Sequence, residues 1–434
     1  MINSINVELD KFLIMRNSGL LDKSELFFGS IIITKIDYCY SWIMRENTNY
    51  TDDDLVHLKL TDIYDLVGYN NKASNLLDKL ESLKLFFRSA SYKVGFYNKG
   101  FKPLKEPTGE FITLNTADYL NKSQLTRLKK RLAKNRTETE KLMLKYIKRS
   151  IDVDVKSLRN YYQVNYNIEM PATKKGIEEF LKRANLTRDF GHLPKEVIKY
   201  LPFDRFKTLD ALKIKESNIS IGEKGGRYYH LMTNMSHELK RCIISKIKNK
   251  PYLMQLDIKN SQPFFLLCLI ISQKLEIETS LYSAVLNGYF YETIGESWGY
   301  IPEQVTNDRA VRKAVKETVY RDIFFCQSNN IRIHSKGFRQ IEKKYPLFCK
   351  AIINITSRND NTLASILQRL ETLEVVPFAL EYKTFNLHDA IIIPTENEND
   401  IILDEIISKM QQHFLKKYGI CPQLSKELIS KREK

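Results

Sequence analysis

Apolar positions recur along this chain in patterns that name elements before any residue type is considered. Ile63, Leu66 and Val67 share one face of a short helical pattern opened by Thr61 as N-cap and stopped at Gly68. Asn70-Asn71 leads into a second helix, with Leu76, Leu77, Leu80 and Leu83 at helical spacing. Two β-rich runs follow, 86–96 and 110–114, separated by a basic stretch rich in turn formers. Further on, Leu125, Leu128 and Leu132, then Leu142, Leu144 and Ile147, keep a helical stripe. From Pro251 an apolar strand runs to Asp257 and gives way to an apolar helix, Phe264 to Ile271. A long helix is expected from about Asp308 to Phe325, capped by Thr306 or Asn307, and another over 361–373. Between Phe385 and Pro394 two short apolar runs flank His388-Asp389, which predicts a hairpin with that pair at its bend.

Composition narrows the class. The 434 residues suggest two or three domains at about 150 residues each. A hydrophobic fraction of 43%, with 24 Tyr and 22 Phe, excludes wholesale disorder. No apolar run of about 18 residues is free of charge, so no transmembrane helix and no membrane partner is expected. MINSINVELDKF has no signal-peptide pattern. The six cysteines form no CxxC pair, which argues against a zinc knuckle or a disulfide framework and points to reduced thiols and a cytoplasmic location.

Charge changes the picture more. The formal net charge is +16, a balance suited to a polyanionic partner. Residues 121–150 hold eleven basic residues against two acidic ones. Arg127, Lys130, Arg131 and Lys134 lie in this run, and a basic amphipathic helix can grip a phosphate backbone. In residues 1–118, helix, tight turn, helix and basic-tipped hairpin follow in the order of a winged helix-turn-helix. There Lys72 and Asn75, on the second helix, are candidate DNA contacts, with Lys93 and Lys99 in the wing.

The chemistry lies downstream. A carboxylate ending an apolar strand, Asp257, is costly unless it is paired or holds a metal. His388-Asp389 offers a second carboxylate at a bend. Arg312, Lys316, Tyr320 and Phe324 fall at steps of four, two cations and then two aromatics on one helical stripe. Such a stripe suits a triphosphate at one end and a base and sugar at the other.

In this order the three motifs resemble those of the family A nucleic-acid polymerases, over roughly residues 225–394. The resemblance implies an α+β right-hand polymerase with an antiparallel-sheet palm and helical fingers and thumb, preceded by the winged-helix-like domain. The expected divisions are 1–118, a basic thumb or linker at 119–224, and a catalytic domain at 225–434. Within the last, palm would be 225–262 and 346–434, and fingers 263–345. Asp257 and Asp389, with the Ile258 carbonyl, would hold two Mg2+ ions, with Mn2+ as a substitute. Arg312 and Lys316 would bind the triphosphate. Tyr320, Phe324, Gln262 and Asn260 would contact the nucleotide, and His388 the primer terminus. Arg227, Thr233, Asn234 and Gln368 match segments that touch primer and template. The implied partners are a DNA primer–template and dNTPs, with origin DNA on the N-terminal domain.

The sequence departs from the family in three places. Ala390 stands where a Glu usually follows the hairpin Asp, Arg321 where a Gly follows the aromatic, and Gln262 where DNA polymerases carry a Glu that screens the sugar. These features fit a minimal DNA polymerase of a plasmid or phage. The alternatives are a non-catalytic winged-helix replication initiator, and a primase or RNA polymerase built on the same palm.

Overall fold

The computed structural model describes the chain except for residues 1–3, 47–55, 58–62, 64–66, 68–69, 89–99, 105–110, 121–123, 125–136, 185–188, 217–218, 223–224, 234, 327, 358–361 and 433–434. It divides into two compact units. The first comprises residues 1–141, 152–218 and 234–243; the second comprises 142–151, 219–233 and 244–434.

The first unit is organised around α1 (Lys23–Glu46), whose Phe27, Ile33, Ile36 and Tyr40 are buried at helical spacing. Helix α2 (Asn70–Ser82) buries Ala73, Leu76, Leu77 and Leu80 in the same core. Strand β1 (Ser4–Glu8) begins this unit. Strands β2 (Val56–His57), β3 (Phe86–Arg88) and β4 (Gly100–Pro103) form an antiparallel sheet in the order β2-β4-β3. The partner of Phe86–Arg88 is therefore 100–103, and not the 110–114 run that the apolar pattern suggested. The reason is Phe101, fully buried and set edge-on to Phe86 at 5.3 Å between ring centroids. Gly100 and Pro103 disguise this short strand as a turn. The later run, β5 (Phe111–Asn115), pairs instead with β1.

The expected short helix over 60–68 lies largely outside the described residues, as do Lys93 and Lys99 of the wing. So do Arg127, Lys130, Arg131 and Lys134. The end of the basic run is a helix, Glu138–Ser150. A reciprocal cap opens it: Glu140 N–H donates to Thr137 Oγ1 at 3.2 Å, and Thr137 N–H to the Glu140 carboxylate at 2.7 Å. It buries Met143, Leu144 and Ile147, and leaves Leu142 on the exposed side.

The second unit has a four-stranded antiparallel sheet. Its strands are β6 (Tyr252–Ile258), β7 (Phe385–Leu387), β8 (Ala390–Thr395) and β9 (Leu424–Lys431), in the order β7-β8-β6-β9. Strand β8 is buried along its whole length, whereas the edge strand β9 exposes Lys426 and Glu427. Helix α3 (Ser261–Ser272) is apolar nearly all round, as a helix enclosed on all sides must be. Helices α4 (Arg309–Val319), α5 (Leu363–Glu381) and α6 (Ile401–Tyr418) complete the parts that matter below. Phe264 of α3 meets Phe414 of α6 edge-on at 5.2 Å, inside one continuous core. Among the described residues, no helix is long and apolar enough to cross a membrane.

Candidate active site

Two strand ends build the centre of the site. In the β6–β8 register Asp257 stands opposite Ala390, so Asp389, one residue earlier, sits beside it in the hairpin loop. Leu387 pairs with Ala390, which leaves His388-Asp389 as a two-residue loop. His388 takes the left-handed region at φ 58°, a strain of about 1–3 kcal/mol for a residue with a side chain. Asn386 Nδ2 donates to the His388 carbonyl at 2.9 Å and holds the bend. His230 Nε2 donates to the Asn386 carbonyl at 2.7 Å and braces it from the next layer.

The register brings the Asp257 and Asp389 carboxyl groups close enough to act on each other electrostatically. At ~4 Å and an effective dielectric of ~20, two like unit charges repel by about 4 kcal/mol, several times thermal energy. The Asp257 pKa is accordingly raised, first by burial, then by Asp389, with smaller contributions from Glu427 and Glu371.

Helix α5 adds Glu371, fully buried. Arg227 clasps it in bidentate fashion, Nε at 2.8 Å and Nη2 at 2.5 Å, and Gln262 Nε2 donates to it at 3.1 Å. Burial and the nearby Asp389 push the Glu371 pKa up to about 7 against the pull of Arg227. The turn that delivers Arg227 needs glycine twice. Gly226 has φ 66°, and a Cβ on Gly225 would run into the Gln368 side chain, which packs there half-buried.

The cations come from α4. Asp308 caps it by accepting from Ala310 N–H at 2.7 Å and Val311 N–H at 3.2 Å, in place of the expected Thr306 or Asn307. Arg312 is ion-paired with Glu292, which is nine-tenths buried. Arg312 and Lys316 both lie over the ring of Tyr291, at 5.7 and 5.1 Å from its centroid. Lys316 is within electrostatic reach of Asp257, and Tyr320 of Asp389 and Glu371. The stripe therefore faces the carboxylates.

The regular helix ends at Val319, however. Tyr320–Phe324 is a π-turn, in which Phe325 N–H donates to the Tyr320 carbonyl at 2.7 Å. The extra residue per turn rotates Phe324 off the stripe and into the core, where it is fully buried. The expectation that Phe324 meets the nucleotide is corrected on that ground. Thr233 is corrected likewise. It is buried, and its hydroxyl accepts from His230 N–H at 3.0 Å, so it offers nucleic acid no surface.

Other expected residues take varied places. Asn260, at φ 50°, donates from Nδ2 to the Gly288 carbonyl at 2.6 Å and fastens the start of α3. Ile258 ends β6 with its side chain buried. Lys72 and Asn75 are exposed on α2. Asn234 lies outside the described residues. The resemblance sets Glu371 only on a template-contacting helix, with no role at the carboxylates, and the sequence gives Glu292 and Tyr291 no place in the site. A signal for Glu371 exists: Leu363, Leu367, Val375 and Ala379 form a fully buried stripe at steps of four, and Glu371 is the charge within it. Glu292 and Tyr291 lie beside Phe290 in a seven-residue helix with no such contrast.

The donor set discriminates among metals. Among the described residues no three His, Cys, Asp or Glu side chains are grouped to hold an ion. Two neighbouring carboxylates fit a hard cation that completes its shell with substrate oxygens and water, as Mg2+ does. They do not fit the closed N/S shell of structural zinc.

No protein-family model matches this sequence, and no curated protein matches it. Among solved structures, the POL domain of Pol1 from M. smegmatis, in complex with DNA primer–template and dNTP, is similar. The TM-score is 0.42 at 11% identity, over 90% of this chain and 81% of that one.

Proposed function

We propose that this chain is a template-directed nucleotidyltransferase, a DNA polymerase that extends a primer with dNTPs. The observation that carries the reading is the pair Asp257–Asp389, set side by side by the register of adjacent antiparallel strands, with Lys316 and Tyr320 within electrostatic reach. Bound Mg2+ ions would neutralise charge on the attacking and leaving oxygens, and Asp257, Asp389 and the Ile258 carbonyl would hold them. Arg312 and Lys316 bind the triphosphate; Glu292 keeps the guanidinium aimed until phosphate replaces it. Tyr320, seated on Phe324 and Phe325, stacks on the incoming base or sugar. Gln262, buried with its amide nitrogen committed to Glu371, would favour dNTPs over NTPs by backing the sugar pocket rather than by facing solvent. His388 meets the phosphate at the primer end, and Arg227 and Gln368 the nascent duplex. The sheet order β2-β4-β3, with α1 and α2 in its core, supports a winged helix that recruits the chain to origin DNA through Lys72 and Asn75.

The test is extension of a labelled primer–template with Mg2+, comparing dNTPs with NTPs and wild type with an Asp257→Ala/Asp389→Ala double variant. Extension by the wild type that vanishes in the variant is expected. A folded, DNA-bound wild type that extends nothing would overturn the proposal and favour the non-catalytic initiator.

A further inference from the structure

A π-turn leaves its neighbouring carbonyls short of helical partners, and something must satisfy them. Here that partner is Arg332, on the short helix Asn329–His334 and only 1% exposed. Its Nε and Nη2 donate to the Ile323 carbonyl at 3.3 and 3.2 Å, and Nη2 to the Cys326 carbonyl at 3.4 Å. Nη1 donates to Asn329 Oδ1 and to Thr356 Oγ1, the latter at 3.2 Å. These acceptors are all neutral. A guanidinium buried among carbonyls, an amide and a hydroxyl is costly to desolvate, and burial lowers its pKa. What it achieves is geometric: one planar fork spans the π-turn and ties its exit to the helix Pro346–Ser357 through Thr356.

The far side of the turn is held as closely. Asp322 packs against Gly337, where a Cβ would strike the carboxylate, and Trp298 Nε1 donates to the Gly337 carbonyl at 3.1 Å. Between these clamps Tyr320 rests on Phe324 and Phe325, with ring centroids at 5.7 and 5.6 Å.

We propose that Arg332 is a positioning residue for nucleotide binding: by holding the Ile323 and Cys326 carbonyls it fixes the π-turn, and so fixes Tyr320, seated on Phe324 and Phe325, at the end of the stripe that carries Arg312 and Lys316. The inference rests on the nucleotidyltransferase reading. It is tested with Arg332→Met, Arg332→Lys, Tyr320→Ala and the Arg332→Met/Tyr320→Ala double variant. KM and kcat for dNTP come from single-nucleotide extension, dNTP dissociation constants from calorimetry, and melting temperature is recorded beside them.

Arg332→Met should raise KM and the dissociation constant about tenfold with kcat little changed. Arg332→Lys, which keeps a donor but not the fork, should fall between it and the wild type. The double variant should be no worse than Tyr320→Ala alone, because both changes remove one interaction. A lowered melting temperature with unchanged KM and dissociation constant would show a merely structural arginine and overturn the inference. So would losses that multiply in the double variant. Should Arg332→Met fail to fold, Arg332→Lys and Thr356→Val decide by the same two constants. A wild type that binds dNTP but extends no primer sinks the polymerase reading, while the calorimetric ratio still decides this one. A wild type that binds no dNTP sinks both.

Discussion

Asp257 shows what a single residue reveals and hides. Its placement at the end of an apolar strand was legible in sequence, and so was Asp389 at a bend. Their closeness in space was not, since it depends on the register of two strands, which sets residues 132 positions apart along the chain side by side. That register has a thermodynamic consequence. A carboxyl whose folded pKa is raised above its unfolded value makes folding less favourable as pH rises through and beyond the ordinary carboxylate range. Asp257→Asn should therefore stabilise the metal-free protein by about 0.5–2 kcal/mol at pH 8 while abolishing extension, the usual opposition between stability and a charged site. The gain should shrink toward pH 4, where the folded-state carboxyl is protonated and the unfolded-state one is near its ordinary pKa. Thermal melts of the two proteins without divalent metal, at pH 8 and pH 4, decide it. A variant less stable than wild type at pH 8 contradicts this account of the pair.

At the scale of elements, the π-turn and a buried ion cluster matter most. Glu374 of α5 is nearly buried and accepts from His413 Nε2 at 2.6 Å, Lys417 Nζ at 2.6 Å and Tyr418 OH at 2.8 Å, all on α6. Burial alone would raise its pKa. The three hydrogen bonds outweigh burial and hold it below the ordinary value. Its contribution to stability is thus present above the unfolded pKa and lost as pH falls through the lowered folded one. Glu374→Gln should cost roughly 1–3 kcal/mol at pH 7, toward the lower end because Lys417 is half-exposed, and the difference should close in acid. Equal melting temperatures at pH 7 would count against α6 being fastened to α5 in this way. Helices and strands of regular period were readable from the sequence: α3, α4, β6, β8 and the hairpin bend all fall where periodicity placed them. Deviations from period were not. Nothing in the steps of four from Arg312 to Phe324 announces that the helix widens after Val319, because the cause lies in Arg332 and Gly337, outside the helix. Strand β4 was hidden by its Gly and Pro for the same reason, since burial of Phe101 against Phe86 overrides the local turn preference.

For the molecule as a whole, the chain joins a unit containing a three-stranded sheet and α2 to a unit containing the carboxyl pair and its facing cations. Lys72 and Asn75 belong to the first; Asp257, Asp389, Arg312, Lys316 and Tyr320 belong to the second. The excess positive charge suits a nucleic-acid partner, and the second unit sets the Asp257–Asp389 pair at the ends of adjacent strands. The central claim is that this carboxyl pair carries the chemistry and does not merely support binding. The direct measurement is the single-turnover rate of one-nucleotide incorporation by Asp389→Asn at saturating dNTP and Mg2+, with primer–template affinity measured in parallel. The account predicts a rate lower by about a thousandfold or more, with DNA affinity unchanged. A rate within a few-fold of wild type would contradict it.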